Sequence, residues 1–421
     1  MTARSAAIAM AASAYAVVAM LPTASAQGPL AFNHPLDHPA IAYTTAPLSD
    51  AVAQLNARLA SGASRLAFDR DRGYLPAVLD ALRVPRESQI AVFSPTSFQA
   101  DKINAQNPRA IFFNDTVAVG WVRGGLLEVA AQDPRLGSIF YALEQKPAER
   151  PQFTRPSEDC LVCHRSWDTF AVPGIFVLST FPPLTKNGYA SGGVSDQRTP
   201  LIERWAGWYV TGRPGRNRHM GNKPVPTRDD TTPTVAIDSL DGRIDLKGYP
   251  TPYSDIVALM VFEHQTRMTN LLTYLAWSSR VAQFDRTPQR ALDGAVRELV
   301  DYLLFVDEAP LVGKIEGTSG FAEMFAAQGP RDGKGRSLRQ LDLTTRLMRY
   351  PCSYLIYSPA FDALPPVARD AVYNRMWQVL SGAEKQSPYS RLSLADRRAI
   401  VEILRETRTG LPGYFQAAAV S

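Results

Sequence analysis

The chain has 421 residues, with 45 Lys and Arg against 40 Asp and Glu and a formal net charge of +5 at pH 7. So mild a basic excess argues against nucleic-acid binding, which rests on a strong, clustered positive surface. Past the N-terminal run, no stretch of uninterrupted apolar residues reaches a bilayer-spanning length, so no membrane span is expected.

Arg4 precedes an alanine-rich apolar run from Ala6 to Leu21, and Ala24-Ser25-Ala26 offers a small-residue cleavage site. Residues 1–26 read as a signal peptide, with flanks and length wrong for a spanning helix. Gln27 rather than a cysteine follows the cut, so no lipoprotein anchor is indicated. The mature protein is expected to be soluble and exported, to a bacterial periplasm. Losing residues 1–26 removes Arg4 and lowers the formal net charge from +5 to +4.

Residues 27–47 read as an extended lead-in. Ser49 is a helix cap, with Val52, Leu55 and Leu59 at helical spacing, and Leu75, Val78, Leu79 and Leu82 mark a second short helix ending before Pro85. Then come short β-type runs at Ile90 to Phe93, Ala110 to Phe113, Thr116 to Trp121, Leu126 to Ala130 and Ser138 to Leu143. They are separated by the turn signals Asn114-Asp115, Gly124-Gly125 and Asp133-Pro134. This predicts a small antiparallel meander. Residues 170–250 are loop-rich.

Beyond Pro252 the chain turns helical. Ser254 is expected to cap a long helix to about Arg280, and Thr287-Pro288 to open another to about Val306. Further helices follow Pro365-Pro366 and Ser393. The fold class is α+β, with a β-plus-loop region over 27–250 and a mainly α-helical region over 251–421. The two are expected to share an interface, because no linker-like stretch divides them.

Between meander and loops stands Cys160-Leu161-Val162-Cys163-His164, a C-x-x-C-H motif. Two thiols three positions apart can add to the two vinyl groups on one edge of a haem, and the next histidine can turn an imidazole nitrogen onto the iron. A redox disulfide motif wants a thioredoxin-like βαβ setting, which these flanks lack. A structural zinc site wants a second ligand pair, but the remaining candidates are Cys352, His34, His38, His219 and His264, with no pair at finger spacing.

On Cys160, Cys163, His164 and the export signal, the chain resembles the c-type cytochromes over a small part of its length. The resemblance implies one covalent haem c, His164 as axial ligand and a redox role, with a redox partner protein or a small-molecule oxidant or reductant as partner. The all-helical haem domain of simple members is not expected here, because a β meander precedes the motif. A simple carrier needs roughly 100 residues, so most of this chain has another task.

The far side of the iron decides the function, since a second protein ligand favours electron transfer and an open position permits chemistry. His219 and Met220 follow His164 by 55 and 56 positions in Arg216-Asn217-Arg218-His219-Met220. In the resembled family a loop methionine at comparable distance often closes the site, which suits Met220. Loop placement suits either residue, and an exposed polar loop is an odd home for a purely structural histidine. The expected ligation is therefore His164 with His219 or His164 with Met220. Arg216 and Arg218 would then pair with haem propionates. The competing reading of this stretch is a solvated basic turn. Trp167 is a candidate for packing on the haem edge, equally explained as a core tryptophan.

His264 and Met268 share an apolar stripe with Val257, Met260, Val261, Leu271 and Leu275, which core packing explains more readily than ligation. In an enzyme, His264 or Glu263 would be the acid–base group. The expected function is electron transfer through one haem c. The alternative is a haem-dependent oxidoreductase of peroxidase or oxygenase type.

Overall fold

Alternation of apolar and small or polar residues builds the central sheet. β1 (Ile90–Val92), β2 (Arg109–Phe113), β3 (Val117–Trp121), β4 (Leu127–Asp133) and β5 (Gly137–Leu143) form an antiparallel meander. The computed structural model describes residues 30–180, 192–223, 236–384 and 386–417. The predicted signal peptide and parts of the loop-rich region lie outside the described residues.

β6 (Val177–Ser179) and β7 (Gly193–Ser195) make a separate ribbon, and β8 (Trp208–Tyr209) joins the meander beside β1. The six-stranded order is β5-β4-β3-β2-β1-β8. The residues 170–250 read as loop thus contribute three short strands, too brief to show a period-two pattern.

Register assigns each strand residue to a face. The row Phe112–Val119–Val129–Tyr141 faces the main core, under α1 (Ala51–Ala60) and α2 (Leu75–Ala81). On the opposite face two rows run side by side, Ile111–Gly120–Glu128–Ala142 and Phe113–Ala118–Ala130–Phe140. Their middle positions carry glycine, alanine or glutamate, so the floor of that face is low between taller ends. α3 (Ser157–His164) packs against β5.

The helical region is organised by α4 (Ile256–Phe284), which is buried around nearly its whole circumference, as expected of a central helix. It crosses the end of the sheet. Its Phe262 ring lies 4.8 Å from Phe113, and Gln132 Nε2 donates to Thr273 Oγ1 at 3.2 Å. α5 (Asp293–Leu303) packs on α4 and on α8 (Pro366–Leu380), with α6 (Phe321–Ala327) and α7 (Pro359–Asp362) against α4 and α9 (Leu394–Thr407) against α8. Ala31–Ser421 forms one unit, in which the strand and helical regions meet through α4. No helix among the described residues is long and apolar enough to cross a membrane.

Two caps sit one residue later than expected. Asp50 caps α1 through Val52 and Ala53, while Ser49 bonds Asp133 instead. Asp255 caps α4 and also accepts from Thr318 and Ser319 N–H, while Ser254 donates to Tyr209 O. In both cases the carboxylate takes several backbone donors at once, which a hydroxyl does less well. α4 continues to Phe284, and Thr287-Pro288 leads into a 3₁₀ turn, Gln289–Leu292, before α5.

Past α5, Glu308 accepts from Leu347 N–H at 2.8 Å, and burial raises its carboxyl pKa to about 7 against the lowering by that N–H. A raised folded pKa favours the protonated form, so this contribution is present below the ordinary glutamate range and is lost as pH rises through 7. Glu308→Gln, which keeps the acceptor without the charge, is expected to gain stability on the parent between pH 5 and pH 8. Denaturation midpoints at the two pH values test it. Parallel curves would refute it.

Candidate functional site

α3 carries the motif. Glu158 and Asp159 in its first turn complement the helix dipole, and the chain leaves helical geometry at Arg165. Positions 160, 163 and 164 stand at i, i+3 and i+4, so Cys160, Cys163 and His164 share one side of the helix. Leu161 turns towards the main core, while Val162 is 78% exposed.

Both thiols are free and half-buried. Burial, then the negative charges of Glu128 and Asp159, push the Cys160 thiol up to about 11. A redox dithiol needs the opposite, a depressed pKa in a positive setting.

His164 is oriented by a clamp. Its Nδ1 lies 2.9 Å from Gly174 O, and Gly174 N–H donates back to His164 O, also at 2.9 Å. A carbonyl only accepts, so Nδ1 carries the proton and Nε2 keeps its lone pair. That is the tautomer a metal-ligating histidine uses, with its other N–H held by an outer partner. Burial lowers the imidazole pKa, which favours the neutral ring. The ring packs beside Phe140 at 4.7 Å and Phe176 at 5.9 Å.

Gly174 is itself held from α4, where Asn270 Nδ2 donates to Ile175 O at 2.9 Å. A Cβ at position 174 would run into the Asn270 amide. Between His164 and Gly174 the chain folds into a 3₁₀ turn, Trp167–Thr169, followed by Phe170 and Ala171 at φ 57° and 55°. Trp167 is 70% exposed, which removes its reading as a core tryptophan.

Beside α3 lies the low sheet floor of Ala118, Gly120, Ala130 and Ala142. Arg109 reaches across it: a Cβ on Gly120 would lie 3.1 Å from Arg109 Nε, and Arg109 Nη1 pairs with Glu128 at 3.1 Å. Arg109 Nε is buried with no hydrogen-bond partner among the described residues. Arg109 lowers the pKa of His164, and Glu128 raises those of both His164 and Cys160. A floor of small side chains, an oriented imidazole whose Nε2 keeps its lone pair, two thiols on its side and a bordering guanidinium fit a flat, anionic, iron-bearing ring.

The other sequence candidates lie elsewhere. Met220 N–H donates to Arg204 O at 2.9 Å, and Arg204 pairs with Glu263 on α4. Glu263 and Asn270 are seven residues apart, or about 10 Å along the helix axis. The 217–222 loop also runs beside β8, five strand spacings from β5, or about 24 Å across the sheet. His219 packs on Trp205 at 5.3 Å and its Nδ1 accepts from Gly221 N–H at 3.1 Å, which puts the proton on Nε2. His219 and Met220 are thus buried and set apart from His164, and neither belongs to a solvated turn.

Arg216 Nε donates to Val312 O at 3.2 Å, and Arg216 and Arg218 line a cleft with Arg213, away from α3. His264 spends both ring nitrogens, Nδ1 on Gln197 Oε1 at 2.5 Å and Nε2 on Ser353 Oγ at 2.7 Å, and stacks with Tyr302 and Phe305. Glu263 is fully buried, bonded to Arg204 at 2.9 Å and Ser195 Oγ at 2.5 Å. Both therefore serve the core. A larger cleft of about 620 Å³, lined by Phe113, Phe321, Phe325 and Arg339, opens on another part of the surface.

Sequence reading missed Arg109, Glu128, Phe140, Gly174, Phe176 and Asn270. Only the small-residue alternation of β3 and β4 hinted at the floor. No protein-family model, curated protein or solved structure matches the chain.

Proposed function

We propose that this chain is an exported c-type haem protein, with one haem joined to Cys160 and Cys163, His164 as axial ligand, and the opposite iron position open to a small-molecule oxidant or substrate. The observation that carries the reading is the His164–Gly174 clamp, because it leaves Nε2 as a lone-pair donor on the same helix side as both thiols. Haem bound there supplies one-electron redox chemistry.

The chain's own residues have separable tasks. Gly174 O holds the imidazole proton on Nδ1, and Asn270 fixes the loop that carries that carbonyl. Phe140 and Phe176 keep the ring from turning. Arg109 takes the propionate-pairing role first given to Arg216 and Arg218, because its guanidinium borders the floor beside α3.

The open position ranks ahead of plain electron transfer because His219 and Met220 neighbour Trp205 and Arg204. Electrons would come from a redox partner protein or a small-molecule donor.

The test is the absorption spectrum of the full chain after maturation with a haem c assembly system. The expected result is a high-spin ferric spectrum and ready carbon monoxide binding by the ferrous form, both unchanged in a His219→Gln, Met220→Leu variant. A low-spin spectrum indifferent to carbon monoxide, and lost in that variant, would restore the electron carrier.

A further inference from the structure

His34, His38 and Asp285 bring three potential ligand atoms within 4.8 Å of one another. The lead-in supplies both histidines at i and i+4, and Asp285 is the C-cap residue of α4. His38 Nε2 stands 3.7 Å from Asp285 Oδ1. That is too long for a hydrogen bond. It is close to the separation of about 3.3 Å that two ligands take on a tetrahedral Zn²⁺ with bonds near 2.0–2.1 Å.

The surroundings hold the group together. The His34 ring packs on Phe32 at 5.3 Å and on His38 at 5.5 Å, and His38 packs on Phe284 at 5.3 Å. Phe32 is buried against Trp277 of α4, and Arg165 Nη2 donates to His34 O at 2.9 Å. The backbone of the lead-in is thus pinned both to α4 and to the residue after His164.

We infer that His34, His38 and Asp285 form a binding site for a divalent first-row transition metal of the Zn²⁺ type, stapling the lead-in to the end of α4. Two imidazoles and one carboxylate are the donor set such ions prefer, and three protein ligands leave a fourth position to solvent. In the metal-free site His38 Nδ1 accepts from Ala40 N–H at 3.2 Å, so its proton sits on Nε2. Loading through Nε2 moves that proton to Nδ1 and gives up the Ala40 bond. The proton count of the neutral ring is unchanged.

The test is Zn²⁺ titration of the full mature chain, followed by calorimetry and by bound-metal analysis after dialysis. The background is Cys160→Ala with Cys163→Ala, so that the motif thiols contribute no competing site. The expected result is one Zn²⁺ per chain and a thermal midpoint raised by the ion. His38→Ala and Asp285→Asn are each expected to weaken binding at least tenfold and to abolish the thermal shift, with metal-free midpoints close to the parent's. Binding that is absent, or equally tight in both variants, would overturn the site. The parent chain carrying both thiols is titrated beside it after haem maturation, so that failure of this site and failure of the haem reading are told apart.

Discussion

The parent chain is expected to carry one haem that survives denaturing electrophoresis, and replacing both motif thiols, Cys160→Ala with Cys163→Ala, is expected to abolish it. The expectation follows from placement. Both sulfurs sit on the His164 side of α3, half-buried beside a floor of Ala118, Gly120, Ala130 and Ala142. Cys160 is not set up as a thiolate, since burial and Glu128 hold its proton on. A thioether bond is therefore a better use of the pair than dithiol exchange. The single variants are expected to keep one thioether and a reduced yield. Haem-stained gels and mass spectrometry of the intact chain decide it. A parent chain that leaves the assembly system without added mass would refute the haem reading outright.

Glu263→Ala is expected to be the most destabilising single change, by about 3–5 kcal/mol, because it strands a buried arginine. Arg204 and Glu263 are almost wholly buried and 2.9 Å apart. Arg204 also donates to Thr199 O at 2.7 Å and Gln197 O at 3.1 Å, and Glu263 accepts from Ser195. The pair therefore ties α4 to β7 and to the segment that follows it. Replacing both partners by apolar residues, Arg204→Met with Glu263→Leu, is expected to recover much of the loss, because no uncompensated charge is left inside. Denaturant midpoints of the three proteins measure this. A Glu263→Ala protein as stable as the parent but without turnover would return Glu263 to the acid–base role.

Where a signal was local, the chain could be read directly. The five meander strands, the helix over Leu75–Ala81 and the helices after Pro365 and Ser393 all announce themselves within a few residues, through alternation, turn dipeptides and caps. The caps at 50 and 255 slipped by one because the choice between a hydroxyl and a neighbouring carboxylate depends on distant donors such as Thr318 and Ser319. The α+β class was legible for the same local reason.

By itself the sequence determined that the motif's donors stand together, since two thiols and an imidazole within five residues need only one helix to share a side. Tertiary structure alone decided the rest of the site. The tautomer of His164 depends on Gly174, ten residues on and held by α4. The floor exists only because register aligns Gly120 with Glu128 and Ala142, and Ala118 with Ala130 and Phe140. The same long-range pairing carried His219 and Met220 to Trp205 and Arg204, and closed His264 in aromatic rings. Spacing along a chain sets how far a ligand can reach. Strand order and helix packing set where it goes.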